Sequence, residues 1–117
     1  MIIIYDSKTG NVERFVKKLN LECYRIVPQL KVSTSFILVT YTTGFGEVSR
    51  STKDFLEANH VHLKGVASSG NRNWGVKFAK AADIIADTYK VPAILKFELS
   101  GTEKDVAKFM LEVMNFV

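Results

Sequence analysis

Apolar runs of strand length alternate with stretches whose apolar residues recur at helical spacing, and the alternation continues along the whole chain. Residues 1–5 read as a buried strand, after which Val12, Phe15, Val16 and Leu19 fall on one helical face. Residues 23–27 form a short strand ended by Pro28, and Phe36-Ile37-Leu38-Val39 is a second strongly buried one. The interval between them is too short for a packed helix, so a hairpin-like excursion or a loop with a turn of helix is expected. Thr42-Thr43-Gly44-Phe45-Gly46 then reads as a flexible turn, and Ser51-Thr52-Lys53-Asp54 as a helix-start cap ahead of Phe55 and Leu56.

The second half repeats the alternation. Residues 63–68 predict a strand that ends in a Gly- and Asn-rich loop, 69–75. A helix over 76–89 places Phe78, Ala82, Ile85, Ala86 and Tyr89 on one side, and Pro92 closes it. Residues 93–99 read as the last strand, and Thr102-Glu103-Lys104-Asp105 caps a final helix with Val106, Phe109, Met110, Val113 and Val117 inward. Apolar strands separated by amphipathic helices predict an α/β three-layer sandwich, with helices on both faces of a mostly parallel, five-stranded sheet. With 117 residues and no linker, repeat or low-complexity tract, a single domain over 1–117 is expected.

Charge narrows the ligand class a little. Sixteen Lys and Arg against twelve Asp and Glu give a net +4, which favours a phosphate ligand or an acidic partner. The basic residues are scattered and form no arm, which argues against a nucleic-acid reader. Cys23 is the only cysteine, so neither an intrachain disulfide nor a closely spaced cysteine metal motif is available, and a reducing compartment fits. The opening apolar run meets Asp6 too soon for a secretion signal or a membrane span, so a cytoplasmic location is the expectation. His60 and His62 lie outside every candidate ligand loop and supply too few ligands for a metal.

Three loops carry the candidate chemistry: 7–11, 42–46 and 69–75. In a parallel sheet all three leave strands at the same carboxyl edge, where ligands bind near a switch in strand order. In the first, Ser7 and Thr9 offer hydroxyls, Gly10 lets the backbone turn closely about an anion, and Asn11 offers an amide at a helix start. A plain helix cap by Thr9 or Asn11 is the competing reading. Lys8 precedes the only glycine, so the loop is not that of a nucleotide triphosphatase, nor is it a three-glycine dinucleotide fingerprint; one small phosphate fits better. Thr42, Thr43, Gly44, Phe45 and Gly46 either border a flat ligand or form a bare turn. Ser69, Gly70, Asn71, Asn73, Trp74 and Gly75 combine amides with the only tryptophan, suited to a planar ring with a polar edge, although Trp74 alone would serve equally as a buried aromatic.

The pattern Ser7-Lys8-Thr9-Gly10-Asn11 resembles the Ser/Thr-x-Thr-Gly-Asn phosphate loop of the flavodoxin-like family. More specifically, Tyr5–Asn11, Thr40–Gly46, Ala67–Gly75 and Lys96–Thr102 resemble the small flavodoxin-like activators of class Ib ribonucleotide reductase, the NrdI family. That resemblance implies flavin mononucleotide, FMN, as cofactor, with its phosphate held by the loop of Ser7, Lys8, Thr9, Gly10 and Asn11 and its ring enclosed by 42–46 and 69–75. It also implies a partner, the radical-generating dimanganese subunit of the reductase, and a flavin reductant. Reduced flavin reacting with dioxygen would supply superoxide for assembly of the dimanganese-tyrosyl radical cofactor. The flavin carries the redox chemistry, so no side chain is assigned as general acid or base, and Asp6 is expected to face backbone donors. The chain departs from ordinary flavodoxin carriers in its short loop after Thr43 and its positive charge, for which Arg50, Lys53, Arg72 and Lys77 are the candidate residues near the ring. A general one-electron carrier and a flavin-free interaction or phospho-ligand domain remain the alternatives.

Overall fold

A computed structural model describes residues 1–116; the inward position expected for Val117 lies outside them. Strand β1 (Ile2–Tyr5) leads through a loop into α1 (Asn11–Lys17) and then β2 (Cys23–Arg25). Next come β3 (Phe36–Thr43), β4 (Glu47–Val48) and α2 (Arg50–Asn59), followed by β5 (Leu63–Gly70), α3 (Lys80–Tyr89), β6 (Ala93–Glu98) and α4 (Glu103–Met114). Short 3-10 segments occupy His60–His62 and Arg72–Lys77. The strand order is β2-β1-β3-β5-β6, and every pairing along it is parallel. The switch point therefore falls between β1 and β3, since the chain moves outward in one direction to β2 and in the other to β5.

Alternation along the strands splits the core into two layers. Ile3 and Tyr5 of β1, with Ile37 and Val39 of β3, pack under α1 and α4 against Val12, Phe15, Val16, Phe109 and Val113. Ile4, Phe36 and Leu38 face the other way, onto Phe55 and Leu56 of α2 and Ala81, Ala82 and Ile85 of α3. Phe15 stacks on Phe97 with centroids 4.1 Å apart and meets Phe109 edge-on at 5.6 Å, so α1 near the start of the chain is locked to β6 and α4 near its end.

Several element boundaries differ from the sequence expectation, while the interval between β2 and β3 takes the looped of its two expected forms. The interval between β2 and β3 is a loop, tied down by buried Asn59, whose side chain accepts from Val32 N–H at 2.8 Å and donates to Leu30 O at 2.9 Å. Thr42 and Thr43 belong to β3, which turns tightly into antiparallel β4, so 42–46 is part of a hairpin and not a flexible turn. Ser69 and Gly70 likewise stay in β5, because β6 pairs with them through Phe97 and Glu98. The helix expected over 76–89 begins only at Lys80: Gly75 sits at φ 57°, ψ −121° and Ala79 in the left-handed region, and both break the helical path, leaving Phe78 outside it.

Candidate functional site at the switch point

Asp6 continues β1 at the sheet's carboxyl edge, its N–H donating to Val39 O at 3.0 Å. Its buried Oδ2 accepts from Ser49 Oγ at 2.8 Å, from Thr52 Oγ1 at 2.9 Å and from Ser51 Oγ. Hydroxyls, and not the backbone donors expected from sequence, satisfy this carboxylate. The reason is that Ser49 is the N-cap of α2, accepting from Thr52 N–H at 3.2 Å, which moves Ser51 and Thr52 into the first turn beside β1. Thr52 has one hydroxyl proton and gives it to Asp6, so Thr40 is the donor in the 2.8 Å contact between Thr40 and Thr52.

Ser7, buried behind the loop, accepts from Glu13 N–H at 3.3 Å and thereby takes the capping role that sequence reasoning left to Thr9 or Asn11. Gly10 is the N-cap residue at φ 93°, a conformation that excludes most side chains, and the N–H groups of Asn11 and Val12 have no intrahelical acceptor. With seven residues, α1 is too short for much macrodipole, so donors and nearby charges set the character of the loop. Arg25 grips it from β2: Nη2 donates to Ser7 O and Nη1 pairs with Glu13 Oε1 at 2.7 Å. Lys17, foremost, and then Arg25 hold the Glu13 carboxyl below its ordinary pKa by hydrogen bonding and charge.

The other two segments face this loop across an open cleft of about 210 Å³. Ser7, Lys8, Thr9 and Asn11 line one side of it. Thr42, Thr43, Gly44 and Gly46 line it from the hairpin, and Ser69, Gly70, Asn71 and Trp74 from the end of β5. Gly10, Phe45, Asn73 and Gly75, also expected at the site, are not among the lining residues. Gly10 shapes the loop from behind, where a Cβ would lie 2.7 Å from Arg14 Nη1. Phe45, 70% exposed, packs edge-on against Trp74 with centroids 5.8 Å apart, and so braces the aromatic that does line the cleft. Asn73 N–H donates to Asn71 Oδ1 at 2.9 Å, while Gly75 makes the kink ahead of α3.

Two of the expected contacts already serve the scaffold. Ala79 caps α3 without a side-chain bond, and the strands supply what it lacks: Ser68 Oγ accepts from Ala82 N–H at 3.0 Å, and Thr42 Oγ1 from Ala81 N–H at 3.2 Å. Asn11 Oδ1 accepts from Arg14 Nη2 at 2.7 Å and from Ser100 Oγ at 2.8 Å, and its Nδ2 donates to Thr9 Oγ1 at 3.4 Å.

Val12, Tyr41, Ala79 and Leu99 also line the cleft and were not assigned to it from sequence. Tyr41 was the legible one, as the strand residue preceding Thr42. Leu99 was not, because it reaches the cleft through a left-handed backbone, φ 54°, held by its N–H on Gly70 O at 3.1 Å. Of the four cationic candidates only Lys77 lines the cleft. Arg72 pairs with Glu98 at 3.7 Å and lies over Phe78, Arg50 pairs with Asp54 at 3.6 Å, and Lys53 borders a separate groove between α2 and α3. Lys8 and Lys77 thus line the cleft without any carboxylate among the described lining residues, giving it positive character.

A doubly wound parallel sheet of this strand order, with a polar cleft at the β1/β3 switch, defines the flavodoxin-like class of α/β proteins. Residues 3–110 match the family model described as NrdI flavodoxin like, and the chain belongs to that family. Membership implies FMN binding, a general role in activating ribonucleotide reductase, and interaction with a manganese-dependent subunit of that enzyme. Among solved structures, the chain is similar to oxidised Flavodoxin 1 from Bacillus cereus, at 22% identity and TM-score 0.73 over 99% of this chain and 97% of that one. A short-chain flavodoxin associated with a non-canonical PDU bacterial microcompartment matches at 20% identity and TM-score 0.73, over 97% and 93% of the two chains. At such identities these two likenesses speak to the fold alone. Among the described residues no helix is long and apolar enough to cross a membrane.

Proposed function

We propose that this chain seats FMN in the cleft, phosphate in loop 7–11 and ring between the 42–46 hairpin and residues 69–75, and serves as the flavin activator of a class Ib ribonucleotide reductase. The observation that carries the reading is convergence: three segments far apart in sequence line one cleft at the switch point. Their donor set suits the cofactor. Small hydroxyls and the N–H groups of Asn11 and Val12 match a terminal phosphate, and Gly44 and Gly46 keep the hairpin side low beside a flat ring. Tyr41 and Trp74 supply aromatic walls, and Phe45 supports Trp74 from outside.

Held by these residues, the cofactor would supply the oxygen chemistry, one-electron reduction of dioxygen to the superoxide needed for assembly of the dimanganese-tyrosyl radical cofactor in the partner subunit. The residues of this chain bind and orient the cofactor, and Lys8 and Lys77 favour small anions at the cleft through their charge. The test combines the chain, its flavin and a manganese-loaded radical subunit under controlled oxygen, with radical yield measured by electron paramagnetic resonance. Radical formation that depends on the flavin-loaded chain and is suppressed by superoxide dismutase is expected. Radical formation insensitive to superoxide interception would overturn a diffusing superoxide as the oxidant. Its absence despite full flavin loading would overturn the activator role.

A further inference from the structure

Arg14 faces the loop from behind, on the solvent side of α1, and no feature of the sequence singles it out. Its Nε donates to Ser100 Oγ at 3.0 Å and its Nη2 to Asn11 Oδ1 at 2.7 Å, while Ser100 Oγ donates to the same Asn11 oxygen at 2.8 Å. This closes a three-membered ring between α1, the first residue of the helix, and the turn after β6. Nη1 lies 2.7 Å from the point where a Cβ on Gly10 would stand, so the guanidinium rests against the Gly10 backbone at the centre of loop 7–11. Lys18 reinforces the turn from the same helix, its Nζ donating to Ser100 O at 3.3 Å and Gly101 O at 3.2 Å.

The two arginines at this loop differ in one respect. Arg25 pairs with Glu13, a carboxylate it shares with Lys17, whereas Arg14 has oxygen acceptors only on neutral groups and makes no carboxylate pair among the described residues. An uncompensated cation beside the loop raises the local potential where α1 is too short to do so. The fork geometry of guanidinium is also what lets one side chain hold Asn11 and Ser100 together while its Nη1 rests against Gly10; an ammonium has no such fork.

We infer that Arg14 is a positioning and charge residue for the phosphate end of the cofactor: it fixes Asn11, and through it Thr9, and makes the site discriminate a phosphorylated flavin from the free one. The inference rests on the proposed seating of FMN. Arg14 touches no reacting atom, and its effect belongs to affinity and selectivity.

The test titrates apoprotein with FMN and with riboflavin, which lacks the phosphate, following flavin fluorescence for wild type, Arg14→Gln, Arg14→Lys and Ser100→Ala at low and high sodium chloride. Arg14→Gln should weaken FMN roughly three- to tenfold, the range for a charge-assisted contact on a screened surface, with riboflavin affinity unchanged. Its FMN affinity should also fall less with salt than that of wild type. Arg14→Lys should keep the wild-type salt dependence and recover part of the affinity; Ser100→Ala should weaken FMN alone, by a smaller factor. Equal weakening of both flavins, or an unchanged FMN affinity and salt dependence in Arg14→Gln, overturns the inference while leaving FMN binding in place. Wild-type protein that binds neither flavin overturns the seating itself, and this inference with it.

Discussion

Thr52 Oγ1 donates to Asp6 Oδ2 at 2.9 Å, joining the first turn of α2 to the residue that leaves β1. The bond is one of three hydroxyl contacts on a single carboxylate oxygen, and it fixes the direction in which the chain departs toward Ser7. Asp6→Ala leaves three hydroxyls without this acceptor, two of them, on Ser49 and Thr52, buried. It should cost about 3 kcal/mol in urea unfolding and weaken FMN binding; Asp6→Asn, which keeps an acceptor oxygen, should cost less. Equal stability of Asp6→Ala and wild type would remove the carboxylate from the scaffold.

Ser68 caps α3 from β5, accepting from Ala82 N–H at 3.0 Å and donating to Ala79 O at 2.8 Å. Ser68→Ala deletes both bonds at a fully buried position and leaves Ala82 N–H with only its longer, 3.3 Å contact to Ala79 O. A loss of about 2 kcal/mol is expected by chemical denaturation. Because Trp74 and Lys77 sit between β5 and α3, the cleft should loosen too, seen as a shift in Trp74 emission.

Gly70 lies against the start of α3, where an added Cβ would come within 2.8 Å of Ala79 Cα and closer still to its backbone nitrogen. Backbone cannot swing aside as a side chain does. Gly70→Ala should therefore destabilise by about 2–4 kcal/mol and reduce FMN affinity, whereas Gly75→Ala, which meets no atom within 4 Å, should be milder and reflect only its positive φ. Thermal unfolding of the two variants side by side checks the contrast.

Acid should release the clamp on the first loop. The folded Glu13 carboxyl titrates below its usual value because Lys17 and then Arg25 favour the charged form, so its contribution is present above the unfolded pKa and is lost as pH falls through the folded one. Comparison of wild type with Glu13→Gln by thermal melting should show a gap near neutrality that closes on acidification below the ordinary carboxylate range. A gap that widens with acid would contradict the assignment of the Lys17 and Arg25 contacts.

The layered fold was legible because the apolar patterns of Ile2–Tyr5, Phe36–Val39 and the α4 face survive almost unchanged into the two core clusters. The three loops were legible as well, since their order after parallel strands forces them to one edge. What escaped the sequence was set by long-range pairing. Thr42, Ser69 and Gly70 look like turn residues by type, and only their partners in β4, α3 and β6 keep them in strands. Arg14 and Leu99 were invisible for the same reason: contacts to Ser100 and Gly70, 86 residues from Arg14 in one case and across a sheet edge in the other, define their place. The capping residue of α2 was missed by two positions because Ser49 and Ser51 are chemically alike, and geometry alone chooses between them.

The most direct measurement is a titration of apoprotein with FMN, reading the flavin's visible band and the emission of Trp74 together. Trp74 is the only tryptophan and lines the cleft, so its emission reports on that place and no other. Saturation at one flavin per chain, with the visible band perturbed and Trp74 quenched along the same curve, is the predicted result. A titration that leaves both signals unchanged, or a perturbed flavin band with Trp74 emission unaffected, would contradict the seating of the cofactor between loop 7–11, the 42–46 hairpin and residues 69–75.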